Sequence, residues 1–333
     1  MQDPWKRRPR VMNSEPVNKI AILTRDCAGI NATIRSVVRT ADKHNIEVIG
    51  ILNGYDGLID NTLIYLDRKS VSGIINNGGT ILKTSRSKRF FLESNQAKAV
   101  HTIQTNNING LIVIGGDGSL RGAHILANIH HIPIIGIPAT IDNDINGVDL
   151  AIGANTAVNV ALDALDKIRD TATSLERIFV VEVMGRNCGY LALQVALAGG
   201  CEEVLLPEKN YDIDAMCDEI KKGNLKGKKS WIIIVAEGTA KGEDIACTIT
   251  EKTCLETRVT VLGHIQRGGH PTALDRIMAS RLGYFAVTEL KNGVTDCCVC
   301  LRNNELITIP LETAIQPKKI DVDLSYKLLK FLS

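Results

Sequence analysis

Aromatic side chains make up only 4% of the 333 residues, too few for the stacking platforms that bind single-stranded nucleic acid. Long apolar runs are missing too. Stretches such as Trp231 to Ala236 fall far short of the roughly 20 residues that cross a bilayer. Neither sign of charge is in excess, with 39 Lys and Arg against 37 Asp and Glu, so there is no broad electrostatic footprint for DNA or RNA. Nucleic acid and membrane are therefore disfavoured as partners. No GxxxxGK(S/T) segment occurs, which excludes a P-loop, and no glycine-rich loop with a following VAIK-type lysine supports a protein kinase. The nine cysteines are scattered from Cys27 to Cys300 with no signal-peptide apolar stretch ahead of them, which fits a reducing cytoplasm. Cys297, Cys298 and Cys300 contain a CxxC spacing, but no second Cys or His pair completes a tetrahedral zinc site. DCCVCL reads instead as a half-buried strand.

What is present is a globular composition, 44% hydrophobic and 23% charged, with roughly two domains' worth of length. Residues 1–18 stand apart, because MQDPWKRRPR packs four basic residues and two prolines into ten positions. They read as a disordered basic tail. From Lys19 onward, short β-branched runs alternate with helical patterns: KIAILT, a helix from about Asn31, EVIGIL, a helix after Gln96, GLIVIGG, a helix from about Ser119, and IPIIGIP. The second half repeats the scheme with a helix over 154–169, RIFVVEVMG, a helix to Ala198, EEVLLPE, a helix near Ala215, WIIIVAEG and RVTVLG. Continuous apolar runs joined by helical crossovers predict an α/β chain with mainly parallel sheets flanked by helices, in two lobes. Ligands in such sheets sit beyond the carboxyl ends of the strands.

At those ends stand residues suited to phosphate chemistry. After GLIVI comes Gly115-Gly116-Asp117-Gly118-Ser119, opening a helix whose N-terminus favours an anion, with a carboxylate placed to hold Mg2+. After IPIIGIP comes Ala139-Thr140-Ile141-Asp142-Asn143-Asp144, two acids two residues apart, one of which can act as a base toward a hydroxyl. Arg177 and Arg186 bracket VVEVMG, Arg258 precedes VTVLG, and His264 and Arg267 follow it. Arginine forks match phosphate oxygens.

IGGDGS, GIPATIDNDI, VEVMGR, VAEG and RVTVLGHIQRGGHPTALDR, in this order and spacing, resemble the ATP-dependent 6-phosphofructokinase family of bacterial length. The resemblance runs from about Lys19 to the C-terminus. It implies two Rossmann-like lobes with the active site in the cleft between them: 19–153 plus 266–316 for the nucleotide, and 154–265 plus 317–333 for the sugar phosphate. It implies phosphorylation of the 1-hydroxyl of fructose 6-phosphate by Mg-ATP, the committed step of glycolysis, in a cytoplasmic homotetramer. Asp142 takes the position of the base, with Asp144 beside it and Arg186 stabilising the transferring phosphoryl group. Asp117 resembles the metal ligand, and Arg86, Ser87, Gly116, Gly118 and Ser119 the nucleotide contacts. The sugar phosphate is expected at Thr140, Met184, Gly185, Glu237, His264 and Arg267, with Arg177 and Arg258 reaching in from a neighbouring subunit.

Gly118 and Ala139 bear on the donor. In the pyrophosphate-using branch an aspartate and a lysine fill these places, so two small residues favour ATP. Two departures remain. The first strand runs directly into Arg25-Asp26-Cys27-Ala28-Gly29, a turn two residues short that lacks the family's glycine pair. Arg25 then supplies a substitute cation, or ATP binding is weakened, or the chain is a catalytically reduced homologue that senses sugar phosphates or partners an active enzyme. The second departure concerns an ADP or phosphoenolpyruvate effector site, expected at Arg35, Arg39, Arg169, Glu202, Lys226 and Lys228, where one usual arginine is replaced by Thr62. Arg35 and Arg39, four residues apart, can equally form a solvated helix face.

Overall fold

The structure, a computed structural model, describes residues 10–11 and 16–333. The chain runs β1 (Arg10–Val11), β2 (Lys19–Thr24), α1 (Ile30–Lys43), β3 (Glu47–Ile51), α2 (Gly54–Ile59), β4 (Leu63–Leu66), α3 (Glu93–Thr105), β5 (Gly110–Gly115), α4 (Asp117–His130) and β6 (Ile134–Pro138). Then come α5 (Ala154–Leu175), β7 (Ile178–Val183), α6 (Tyr190–Ala198), β8 (Glu203–Leu205), α7 (Ile213–Leu225), β9 (Trp231–Ala236), α8 (Gly242–Thr253) and β10 (Thr257–Val261). The last elements are α9 (Ala273–Lys291), β11 (Val294–Thr295), β12 (Cys297–Arg302), β13 (Glu305–Pro310), α10 (Leu311–Ala314) and α11 (Asp323–Leu332).

Two compact units result. The first takes the chain up to Thr140 with Asp144–Asn155 and Arg267–Lys318; the second takes Ile141–Asn143, Thr156–Gln266 and Lys319–Ser333. In the first, a seven-stranded sheet has the order β13-β12-β6-β5-β2-β3-β4. Its pairs are parallel except β3 with β4 and β12 with β13. Ile20–Leu23 and Leu111–Ile114 are wholly buried, as strands covered on both faces must be. Each such aliphatic side chain contributes about 1.5–3 kcal/mol by leaving water. In the second unit, a parallel sheet has the order β10-β7-β9-β8. Its core joins Ile178, Val180, Ile233 and Val235 to Met216 and Ile220 of α7 and Ile249 of α8.

Register sets the functional edges. Thr24 lies opposite Ile114, and Gly115 opposite Pro138, so β2, β5 and β6 end within one residue of each other and bring Arg25 beside Gly115 and Gly116 beside Ala139. In the second unit Val183 pairs with Ala236 and Glu182 with Val261, which delivers Met184, Glu237 and Leu262 together.

Three expectations are corrected. Most of the stretch read as a tail lies outside the described residues, but within it Arg10–Val11 pair antiparallel with Val294–Thr295. DCCVCL is not half-buried: Cys297, Cys298, Val299 and Cys300 are all at 0% exposure, because β12 sits between β6 and β13. Helix α4 begins at Asp117, two residues before the expected start, which puts the acid in the first turn. Among the described residues no helix is long and apolar enough to cross a membrane.

Candidate active site

In the first unit, the turn after β5 is shaped by close approach. A methyl built on Gly115 would lie 2.6 Å from Ser119 Oγ and 2.8 Å from Arg25 Cγ, so only glycine lets these neighbours close over the strand end. Gly116 caps α4 in extended conformation, and Asp117 follows in the first turn. The space around Gly118 is open, with no atom within 4 Å of an added methyl. Ser119 is buried, and its carbonyl accepts a hydrogen bond from Tyr55 Oη at 2.7 Å. Thr140 stands beside this turn, its Cβ 3.1 Å from a methyl on Gly116, and its N–H is fixed on Ile152 O at 2.9 Å.

Asp117 is one-third exposed and bonded by Arg121 Nε at 2.9 and 3.0 Å. Among the described residues no three His, Cys, Asp or Glu side chains converge as a metal cage. Magnesium usually needs none, being held by one or two carboxylates together with substrate phosphates and water. A single carboxylate at an open helix N-terminus fits that mode.

The shortened turn after β2 is ordered. Arg25 N–H bonds Ile114 O at 3.0 Å, and its guanidinium donates to the Ser85 carbonyl. Gly29, with φ of 97°, starts α1. Arg86 is exposed on the neighbouring loop. Asp56, absent from the expected set, organises that loop: it accepts from Ser85 Oγ, from Ser87 Oγ at 2.6 Å and from Arg89 Nε at 2.7 Å. Burial pushes the Asp56 carboxyl up, but the bonds from Arg89, Ser85 and Ser87 together outweigh it and hold the group below its ordinary value. Ser87 is thus engaged with Asp56. Asp144 and Arg267 are half-buried in this unit, and Arg267 Nε is a buried donor with no hydrogen-bond partner.

In the second unit, Asp142 is 2% exposed and Arg186 Nε lies 3.3 Å from its Oδ2. Gly185 has φ of 136° and Arg186 φ of 52°; a non-glycine residue held there is strained by about 1–2 kcal/mol. What holds it is visible. Glu237 Oε1 accepts from Gly185 N at 3.2 Å and Arg186 N at 2.9 Å, while Gln266 Oε1 accepts from Met184 N at 2.9 Å. Gly238 closes the arrangement, since any side chain there would strike Arg186 O, 1.9 Å from an added methyl. Three successive N–H groups, including those of the expected Met184 and Gly185, are therefore occupied. His264 is exposed on the short turn 263–267.

Arg177 and Arg258 do not join this group. Arg177 precedes β7 and Arg258 is the second residue of β10, at the amino ends of strands whose carboxyl ends carry Met184 and Leu262. Six residues of β7 separate Arg177 from Met184, about 20 Å of strand. Both arginines bond Glu256, Arg177 Nε at 2.7 Å.

For the effector set, Arg35 and Arg39 on α1 are half-buried rather than a solvated face. The Arg35 pKa is lowered by burial and then by the Arg39 charge, and Arg39 Nε has no hydrogen-bond partner. In the second unit, Arg169 donates to the carbonyls of Gly199 and Gly200. Glu202 pairs with Lys228 at 3.2 Å, and Lys226 is exposed.

Asp56, Gln266 and Gly238 were missed. Gln266 and Gly238 lay inside segments already singled out, Asp56 did not; the roles of Asp56 and Gln266 come from long-range hydrogen bonds, and that of Gly238 from its close approach to Arg186 O.

Comparison with known proteins agrees with this geometry. Residues 19–290 match the profile of the family described as Phosphofructokinase. The chain is 48% identical over 319 residues to the "ATP-dependent 6-phosphofructokinase" of Bacillus licheniformis, covering 95% of this chain and 100% of that one. The protein of that name from Thermotoga petrophila is 46% identical with the same coverage. A phosphofructokinase structure from Saccharomyces cerevisiae superposes with a TM-score of 0.83 at 31% identity, covering 94% of this chain and 47% of the yeast chain, about half its length. A pyrophosphate-dependent phosphofructokinase from Marinobacter aquaeolei reaches a TM-score of 0.81 at 22% identity, a likeness of fold alone.

Proposed function

The chain belongs to the phosphofructokinase family, and on that premise we propose that it transfers the γ-phosphoryl group of ATP to the 1-hydroxyl of fructose 6-phosphate, giving fructose 1,6-bisphosphate in the cytoplasm. The observation that carries this reading is the buried Asp142 carboxylate with Arg186 Nε at 3.3 Å. Asp142 acts as base toward the sugar hydroxyl, and Arg186 Nε lies against it at 3.3 Å. As the hydroxyl attacks, Arg186 turns its charge to the phosphoryl oxygens. Asp144 assists beside it. Glu237, by accepting from Gly185 N and Arg186 N, fixes the backbone from which the guanidinium turns. Thr140, Met184, Gly185, His264 and Arg267 contact the sugar phosphate.

Gly116, Gly118 and Ser119 line the nucleotide phosphates, with Arg86 above them. Asp117 would hold Mg2+, which would neutralise charge developing on the transferring phosphoryl group. The open space at Gly118 supports ATP over pyrophosphate as donor. The ordered turn at Arg25 supports retained activity over a catalytically reduced homologue. Arg177 and Arg258, lying at the amino strand ends, support a homotetramer in which they serve a neighbouring subunit's sugar site. ADP or phosphoenolpyruvate would act through Arg35, Arg39, Arg169, Glu202, Lys226 and Lys228.

The test is a coupled assay of the purified chain. ADP should form only with ATP, Mg2+ and fructose 6-phosphate together, and pyrophosphate should not replace ATP. Normal turnover by Asp142→Ser would remove the assigned base.

A further inference from the structure

The residues assigned above to the nucleotide come from two segments of the first unit: the turn that opens α4, and the loop 84–89 that carries Arg86. One side chain joins them. Arg25 leaves β2 with its N–H on Ile114 O at 3.0 Å. Its stem crosses the end of β5, where Cγ lies 2.8 Å from a methyl built on Gly115, and its guanidinium donates to the Ser85 carbonyl. The side chain is half-buried along this course.

Residues 84–87 belong to no helix or strand, so no ladder of backbone hydrogen bonds sets their direction. Side chains do so instead. Thr84 Oγ1 donates to Thr24 O at 3.0 Å. Ser85 is held at its carbonyl by Arg25 and at its hydroxyl by Asp56, and Ser87 Oγ donates to Asp56 at 2.6 Å. Arg86 is the exposed residue between these two anchored serines, and its aim is inherited from them.

We propose that Arg25 is a positioning residue for the nucleotide: by tying the Ser85 carbonyl to the ends of β2 and β5, it holds loop 84–89 so that Arg86 faces phosphates gathered at the α4 N-terminus. The inference rests on the reading above that this turn and Arg86 bind the nucleotide. A side chain aimed before the ligand arrives loses less freedom on binding, so the tie acts on nucleotide affinity and leaves the sugar site alone. Because it acts through Arg86, it has nothing to present once Arg86 is removed.

Arg25→Met keeps the stem over Gly115 and removes the guanidinium, while Arg25→Lys keeps a cationic donor; Arg86→Ala and its combination with Arg25→Met complete a cycle. Amide hydrogen exchange of residues 84–89 is followed in the ligand-free chain, Mg-ATP binding by titration calorimetry, and KM, kcat and melting temperature for each variant. Arg25→Met should speed exchange in the loop and weaken Mg-ATP binding, each about tenfold, with kcat and KM for fructose 6-phosphate within about twofold of the parent. Arg25→Lys should recover most of the loss. In the Arg86→Ala background, Arg25→Met should change ATP affinity by less than about twofold. Losses that multiply in the double variant would overturn the proposal, since Arg25 would then act on the nucleotide without Arg86. Unchanged loop exchange, or unchanged ATP affinity, in Arg25→Met would overturn it as well. If the parent binds Mg-ATP but does not phosphorylate fructose 6-phosphate, the catalytic reading fails while the exchange and binding comparison still decides the role of Arg25. A parent that binds no ATP overturns both.

Discussion

Replacing Gly118 by aspartate separates the fold of the glycine turn from its nucleotide chemistry. The position is the second residue of α4, and an added methyl meets nothing within 4 Å. No steric cost therefore arises. Removing a glycine from a helix gains up to about 1 kcal/mol, partly offset by the modest helix propensity of aspartate. A carboxylate in the first turn adds about 0.3–1 kcal/mol with the helix dipole. The net should be about 1 kcal/mol of stabilisation, a rise in melting temperature of about 2 °C in a chain of this size. The nucleotide feels the opposite. A new negative charge about 4 Å from a phosphate costs about 1 kcal/mol in water and about 4 kcal/mol at an effective dielectric near 20. KM for ATP should therefore rise between about fivefold and a thousandfold. Differential scanning fluorimetry and steady-state kinetics with both donors test this. A melting point lowered by several degrees, or an unchanged KM for ATP, would refute the assignment of this open space to the donor.

Other substitutions probe separate links. Asp142→Asn, isosteric and without a base, should lower kcat by about 10²–10⁴ with little change in stability. Asp56→Asn should loosen the loop carrying Arg86 and raise KM for ATP several-fold. Because the Asp56 carboxyl is held below its ordinary value of 3.8, its stabilisation is present above that pH and fades as pH falls through the lower folded value. The melting difference between Asp56→Asn and the parent should therefore be seen at pH 7 and vanish well below pH 4; a gap constant with pH would exclude the ionised network. Among thiols, Cys247 and Cys254 are exposed and seven are buried, with burial pushing Cys201 and Cys300 up to about 12. Two cysteines should react quickly with a disulfide reagent at pH 8, and more than two fast equivalents would contradict the burial of the other seven. Finally, mixing Arg258→Ala with Asp142→Ser subunits should restore part of the activity if Arg258 serves a neighbour, whereas inactivity at every ratio would place it elsewhere.

Much of this architecture could be read before any coordinates. KIAILT, GLIVIGG and IPIIGIP became β2, β5 and β6 because their unbroken apolar runs require cover on both faces. The glycines and acids after β5 and β6 pointed to phosphate chemistry because few structural needs place GGDG at a strand end. Other features were out of reach. DCCVCL was read as half-exposed because its short length says nothing about which strands flank it. Arg177 and Arg258 precede their apolar runs in the sequence, but nothing there shows that both meet Glu256.

The sequence by itself determined the class of fold and the residue types at the strand ends, because periodicity and glycine placement are local properties. Tertiary structure decided which groups are free to act. Glu237 and Gln266 proved to bind backbone and Asp56 to order a loop. Each of these depends on a partner at least 29 positions away, and such pairings are set by packing and strand register rather than by local sequence.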